Sequence, residues 1–255
     1  RTQSGCGNGG KGPCQDRDAR RWPGKTRMDS AAVVMGASGG VGAAVVARVR
    51  ATGAFAVVHA LSRSETGLDL EDEATIAAAA AAVASGPVPT LVFVGTGVLH
   101  NGHVPERSFR EMDPAHLMRD FRVNAIGPAL VAKHMLPLLP RDRRAVFVAL
   151  SARVGSISDN RLGGWHSYRA SKAALNMILR NLAIELARTH PLAVVAGLHP
   201  GTVDSGLSRS FQRGVQPDAL FTPAYSAARL LAVVDSLTPA DSGGCFAWDG
   251  QPIPA

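Results

Sequence analysis

Six short runs in this chain are apolar at most or all of their positions: Ala31–Met35, Phe55–Leu61, Thr90–Val94, Ala145–Leu150, Ala193–Leu198 and Cys245–Trp248. A strand with one wet face alternates apolar and polar residues. A strand without that alternation must be covered on both faces, as in a parallel sheet packed between helices. Longer stretches of helical character lie between the runs: Val41–Thr52, Glu73–Ala84, a segment around Pro114–Leu139, Ser167–Thr189 and Tyr225–Ser236. Their alternation with the strands predicts right-handed crossovers and a doubly wound α/β sheet. One domain over residues 28–255 is expected, because this length commonly closes around a single core. No run reaches the ~18 apolar residues of a spanning helix, so no membrane partner is expected.

The net charge of +7 suggests a polyanionic partner until its location is examined. Residues 1–27 hold Arg1, Lys11, Arg17, Arg20, Arg21, Lys25 and Arg27 against Asp16 and Asp18, a net of +5, which leaves +2 for the rest. That segment lacks periodic apolar residues and reads as a disordered extension, upstream or added sequence ahead of a folded part that starts near Met28. Its Arg20-Arg21-Trp22-Pro23-Gly24-Lys25-Thr26 ends like a phosphate-binding loop, but Ala19 stands where a glycine is required. Cys6 and Cys14 lack further ligands at zinc-finger spacing, so no metal site is expected. Cys245 is the one cysteine of the folded part, which fits a reducing cytoplasm. Nucleic-acid binding would rest on the tail alone, and none is expected.

Directly after the first run comes Gly36-Ala37-Ser38-Gly39-Gly40-Val41-Gly42, leading into a helix. Glycines there let the backbone turn sharply and approach a pyrophosphate, while the helix amino terminus offers free N–H groups to the anion. A second pattern is Tyr168-Arg169-Ala170-Ser171-Lys172, in which tyrosine and lysine are four apart and share a helix face. A phenol of pKa about 10 is a poor base near neutrality, and a fixed cation lowers that value. Together the glycine spacing and the Tyr/Lys pair resemble the short-chain dehydrogenase/reductase family. The resemblance implies a Rossmann-type fold, an NAD(P) cofactor and hydride transfer between nicotinamide and a small carbonyl or alcohol substrate. It assigns Tyr168 as proton donor or acceptor, Lys172 as its cation and ribose anchor, and Asn124, in Arg122-Val123-Asn124-Ala125, as a water-holding relay residue. It also assigns Gly36, Ser38, Gly39, Gly40, Val41 and Gly42 to the pyrophosphate, Asp69 to adenine, and Pro200, Gly201 and Thr202 to the nicotinamide end.

Departures from the family pattern matter as much. Val94-Gly95-Thr96-Gly97 replaces the usual Asn-Asn-Ala-Gly, keeping Gly95 and Gly97 as cofactor contacts but losing the asparagines. Gap-free matching puts Ala152 at the carbonyl-orienting serine. Ser151 takes that role if the strand end shifts by one residue, and Ser156 is a second candidate. After Ala60-Leu61-Ser62 stands Arg63 rather than a carboxylate, which favours NADP(H) over NAD(H). The long segment from Gly155 to Trp165 and His166, with Asn176 and Pro200-Gly201-Thr202-Val203-Asp204, is similar to the C-factor-like branch. That branch includes carbonyl reductases and proteins named for intercellular signalling, so a cofactor-binding regulator with little turnover stands as the alternative. Asp204–Phe221, with Leu207, Phe211, Val215 and Leu220, is expected to be a mobile substrate cover. The helix after Tyr168 is apolar on more than one face, and homodimer pairing through it is expected.

Overall fold

A computed structural model of the chain describes residues 29–100, 104–209, 212, 216 and 219–255. The expected extension over residues 1–27 lies outside the described residues, as do Phe211 and Val215 of the expected cover.

Each apolar run forms a strand: β1 (Ser30–Met35), β2 (Val57–Leu61), β3 (Val88–Val94), β4 (Ala145–Leu150), β5 (Ala193–His199) and β8 (Cys245–Ala247). They pair in parallel in the order β2-β1-β3-β4-β5-β8. Ala31 through Met35 are fully buried, which explains why the run does not alternate. Val33 and Met35 enter one core with Val92, Val94, Phe147, Leu175 and Leu179. Ala32 and Val34 enter the other with Val45, Val49, Phe93, Val148 and Leu230. The second core is roofed by α1 (Gly40–Thr52) and α7 (Pro223–Ser236), which pack together. The first is roofed by α3 (Glu73–Ala84), α5 (Gly127–Met135) and α6 (His166–Leu186); a short α2 (Arg63–Thr66) follows β2. Two-residue strands β6 (Thr202–Val203) and β7 (Leu220–Phe221) pair beyond β5.

The segment expected around Pro114–Leu139 is not one continuous α-helix. α4 (Pro114–Phe121) passes into a π-helical turn over Arg122–Ile126 before α5 begins, and Leu136–Leu138 closes as a 3₁₀ turn. Pro128 supplies the reason: it has no N–H to offer the Asn124 carbonyl, and its ring crowds that carbonyl, so the helix widens there. Gly127 instead donates its N–H to Arg122 O, five residues back. A Cβ on Gly127 would sit 2.8 Å from the Leu70 side chain, so the widened turn packs tightly against the loop before α3.

The chain runs outward from β1 on both sides, to β2 and to β3, and this reversal opens a crevice at the strands' carboxyl ends. The glycine loop lies there. Gly36 takes φ 79°, and the N–H groups of Gly36 and Ala37 both donate to Leu61 O, at 2.9 and 3.0 Å. A Cβ on Gly42 would lie 2.1 Å from the Gly36 carbonyl oxygen. Gly42→Ala is therefore expected to force loop and helix apart, lowering unfolding stability in urea by about 2 kcal/mol or more. Equilibrium denaturation read by circular dichroism checks this.

Candidate active site

A cavity of about 290 Å³ opens at the carboxyl ends of β1, β2 and β3. Of the residues expected to hold a cofactor, Gly36, Ser38, Gly39, Arg63, Asp69, Gly95 and Gly97 line it. Gly40, Val41 and Gly42 lie behind the loop, in the first turn of α1, whose N-cap Gly39 supplies no side-chain cap to the free amides. Arg63 opens α2 on the N-cap Ser62, whose Oγ accepts from Glu65 N at 3.3 Å. The Asp69 carboxylate accepts from Glu71 N at 3.0 Å, fixing a turn on the cavity wall.

Gly97 joins this cavity to the second group of residues. A Cβ placed on it would lie 3.3 Å from Asn124 Oδ1 and 3.4 Å from Lys172 Nζ. Asn124 is fully buried on the π-helical turn. Its Oδ1 accepts from Val98 N at 2.9 Å, and its Nδ2 donates to Val98 O at 2.9 Å and to Ser171 Oγ at 3.1 Å. One side chain thus ties the loop after β3 to helix α6. Lys172 Nζ donates to Leu150 O at 2.9 Å and stands 5.7 Å from the centroid of the Tyr168 ring.

Burial sets the electrostatics of the pair. It pushes the Lys172 ammonium down to about 8, with Asp120 opposing the fall. The same burial, reinforced by Asp120, pushes the Tyr168 phenol up. This is opposite to the lowering expected of a Tyr/Lys pair, because desolvation of the phenolate is the largest effect and Asp120 adds to it. In this state Tyr168 keeps its proton.

The strand register bears on the serine expectation. β4 pairs with β5 through Leu150 without a shift. Ser151 Oγ donates to Asn176 Oδ1 at 2.6 Å. Ala152 instead clusters with Tyr168 and Leu99. Ser156 lies against the Ala255 carbonyl and caps Asp159 N, so it too serves structure.

Pro200, Gly201 and Thr202 do not line the cavity. They follow β5, where Pro200 O accepts from Ser226 Oγ at 2.9 Å, Gly201 takes φ 76° under the Phe221 ring, and Thr202 begins β6. Trp165 and His166 do flank the tyrosine. Trp165 adopts a left-handed backbone at φ 49°, after Gly163 and Gly164 at φ 62° and 65°, and its ring meets Tyr168 edge-on at 6.3 Å. Such a conformation in a bulky residue stores strain that its surroundings must hold. Glu106 does the holding: its backbone oxygen accepts from Trp165 N and its carboxylate accepts from Ser167 N and Oγ.

Several lining residues escaped the sequence reading. Thr96, Val98, Arg119 and Val123 also border the cavity. Arg119 stands five residues before Asn124, a spacing that belongs to no motif, and only the packing of α4 beside the β3 loop brings it there.

Several known proteins are similar to this chain. Over 144 residues the chain is 35% identical to the C-signal protein of Myxococcus xanthus, covering 56% of this chain and 81% of that one. Over 180 residues it is 32% identical to 1-hydroxy-2-glutathionyl-2-methyl-3-butene dehydrogenase of Rhodococcus sp., covering 70% and 74%. A short-chain dehydrogenase/reductase structure from Burkholderia multivorans with bound NADP superposes with a TM-score of 0.72 at 25% identity, over 89% of this chain and all of that one. NADPH-bound carbonyl reductase from chicken fatty liver gives 0.71 at 24%, over 90% and 100%, and shows the shared fold. The family model described as short chain dehydrogenase matches residues 30–216, and with that match the chain belongs to the short chain dehydrogenase family.

Proposed function

We propose that the protein is an NADP(H)-dependent oxidoreductase that interconverts a small carbonyl compound and its alcohol, with Tyr168 moving the proton. The observation that carries this is the junction at Gly97, where the cavity lined by the glycine loop, Arg63 and Asp69 meets Lys172 and Asn124 within 3.4 Å of one missing Cβ. The site suits such a cofactor on its own geometry. Thr96 Oγ1 is buried on the cavity wall without a partner among the described residues, and uncapped α1 amides stand beside it for a phosphate.

NADP(H) bound there would supply or take the hydride. The chain's own residues handle the proton. In reduction, Tyr168, which holds its proton tightly, donates it to the carbonyl oxygen as that oxygen becomes negative. The Lys172 ammonium then faces the phenolate left behind and stabilises it. Asn124 keeps the Val98 loop and α6 at fixed distance, so the proton donor and the cavity hold their alignment. Ala152 beside Tyr168 offers no hydroxyl, which leaves the carbonyl oxygen one donor short.

Arg63 on the cavity wall, with no carboxylate at the end of β2, supports NADP(H) over NAD(H). Exposed Met177 and Ile184 on α6 support pairing of two copies through that helix. No helix among the described residues is long and apolar enough to cross a membrane, and a cytoplasmic location completes the proposal.

Turnover is read as NADPH oxidation with a panel of aldehydes, ketones and quinones. Tyr168→Phe is expected to lower kcat/KM about a thousandfold on any substrate the wild type accepts. Activity that survives this change refutes the assignment. Ala152→Ser restores a second donor and is expected to raise kcat/KM about tenfold, whereas Ser151→Ala changes it less. For cofactor choice, Arg63→Ala should raise the KM for NADPH about tenfold and leave that for NADH unchanged. Equal effects on both would place Arg63 outside the phosphate contact.

A further inference from the structure

One ionisable side chain beside this site has no task in the reaction above. Asp120, in the last turn of α4, is 1% exposed, and neither carboxylate oxygen has a hydrogen-bond partner among the described residues. It precedes Asn124 by four residues on the helix that packs against α6. The charged groups that act on it come from each neighbouring segment: Glu106 ahead of α4, His116 and Arg119 on α4 itself, and Lys172 on α6. Tyr168 on α6 feels it in turn. Glu106 has its own bonds to Ser167, so it does not satisfy the Asp120 oxygens.

A buried carboxylate without hydrogen bonds destabilises a fold, and an apolar side chain would fill the same space without that penalty. Burial and Glu106 push Asp120 up to about 6, so above that pH the charge is present in spite of its cost. Its beneficiary is the Lys172 ammonium beside Tyr168.

We propose that Asp120 is a positioning residue for the proton chemistry: its buried carboxylate is the counter-anion that holds the Lys172 ammonium charged beside Tyr168. The proposal rests on the oxidoreductase reading above. An anion favours the protonated form of any group near it, so removing this one lets both Lys172 and Tyr168 release protons at lower pH.

Asp120→Asn removes the charge and keeps the shape, while Asp120→Leu gives the apolar alternative. In both, the alkaline limb of the pH profile of kcat/KM for NADPH-dependent reduction should move to lower pH by about half a unit or more. A second readout uses the protein without cofactor or substrate. Asp120 binds its proton more tightly folded than unfolded, so the wild type loses stability as pH rises from the ordinary carboxyl value of 3.8 to about 6 and stays lower above it. Both variants should therefore melt close to the wild type at about pH 4 and above it at about pH 8. An alkaline limb that does not move, or variants that melt below the wild type at both pH values, overturns the proposal. A wild type without Tyr168-dependent turnover overturns the oxidoreductase reading instead, and the melting comparison still decides whether Asp120 is a buried anion.

Discussion

The Asn124 side chain is the tie on which the open end of this sheet depends. Its amide grips both backbone groups of Val98 and reaches Ser171 on α6, and the side chain itself is fully buried. Each such bond contributes about 1 kcal/mol net, but leaving its partners buried and unpaired costs more, so the tie strongly resists loosening. The consequence is positional. The loop that walls the cavity and the helix that carries Tyr168 and Lys172 are held as one piece, with Gly97 closely packed between them.

Around that tie the fold accepts groups that a core built only for stability would exclude. Lys172, Asp120 and Glu106 are all buried within a few residues of Tyr168 in space or sequence, and Trp165 is held in a left-handed backbone beside it. Two large apolar cores, one on each face of the sheet, offset such costs. The polar groups sit where α4, the π-helical turn and the start of α6 converge. The widened turn set by Pro128 occurs at the point where Asn124 must reach both Val98 and Ser171.

Much of this was legible in the residues themselves. Runs such as Ala31–Met35 and Ala145–Leu150 identified the parallel strands because burial on both faces leaves no polar position in them. Gly36, Gly40 and Gly42 were readable because backbone contact leaves no room for a Cβ at Gly42, and the Tyr168/Lys172 spacing follows from helix geometry. Other features depend on tertiary packing. Adjacent residues of a strand point to opposite faces, so whether Ser151 or Ala152 meets Tyr168 turns on a register that only the pairing of β4 with β5 fixes. The direction of the Tyr168 shift likewise depends on how deeply the phenol is buried among Leu99, Ala152 and Trp165. Asp120 carried one faint signal, its four-residue spacing from Asn124, which has meaning only once α6 is known to lie opposite.

The decisive measurement follows the hydrogen. With NADPH carrying deuterium at the transferred nicotinamide C4 position and an aldehyde or ketone that the protein accepts, mass spectrometry of the alcohol reports the origin of its new C–H bond. One deuterium on the carbinol carbon, with the hydroxyl proton drawn from solvent, is the result expected of a cavity and a Tyr168 proton donor joined at Gly97. An alcohol whose carbinol hydrogen comes from water, or tight NADPH binding without label transfer to any carbonyl of the panel, would contradict it.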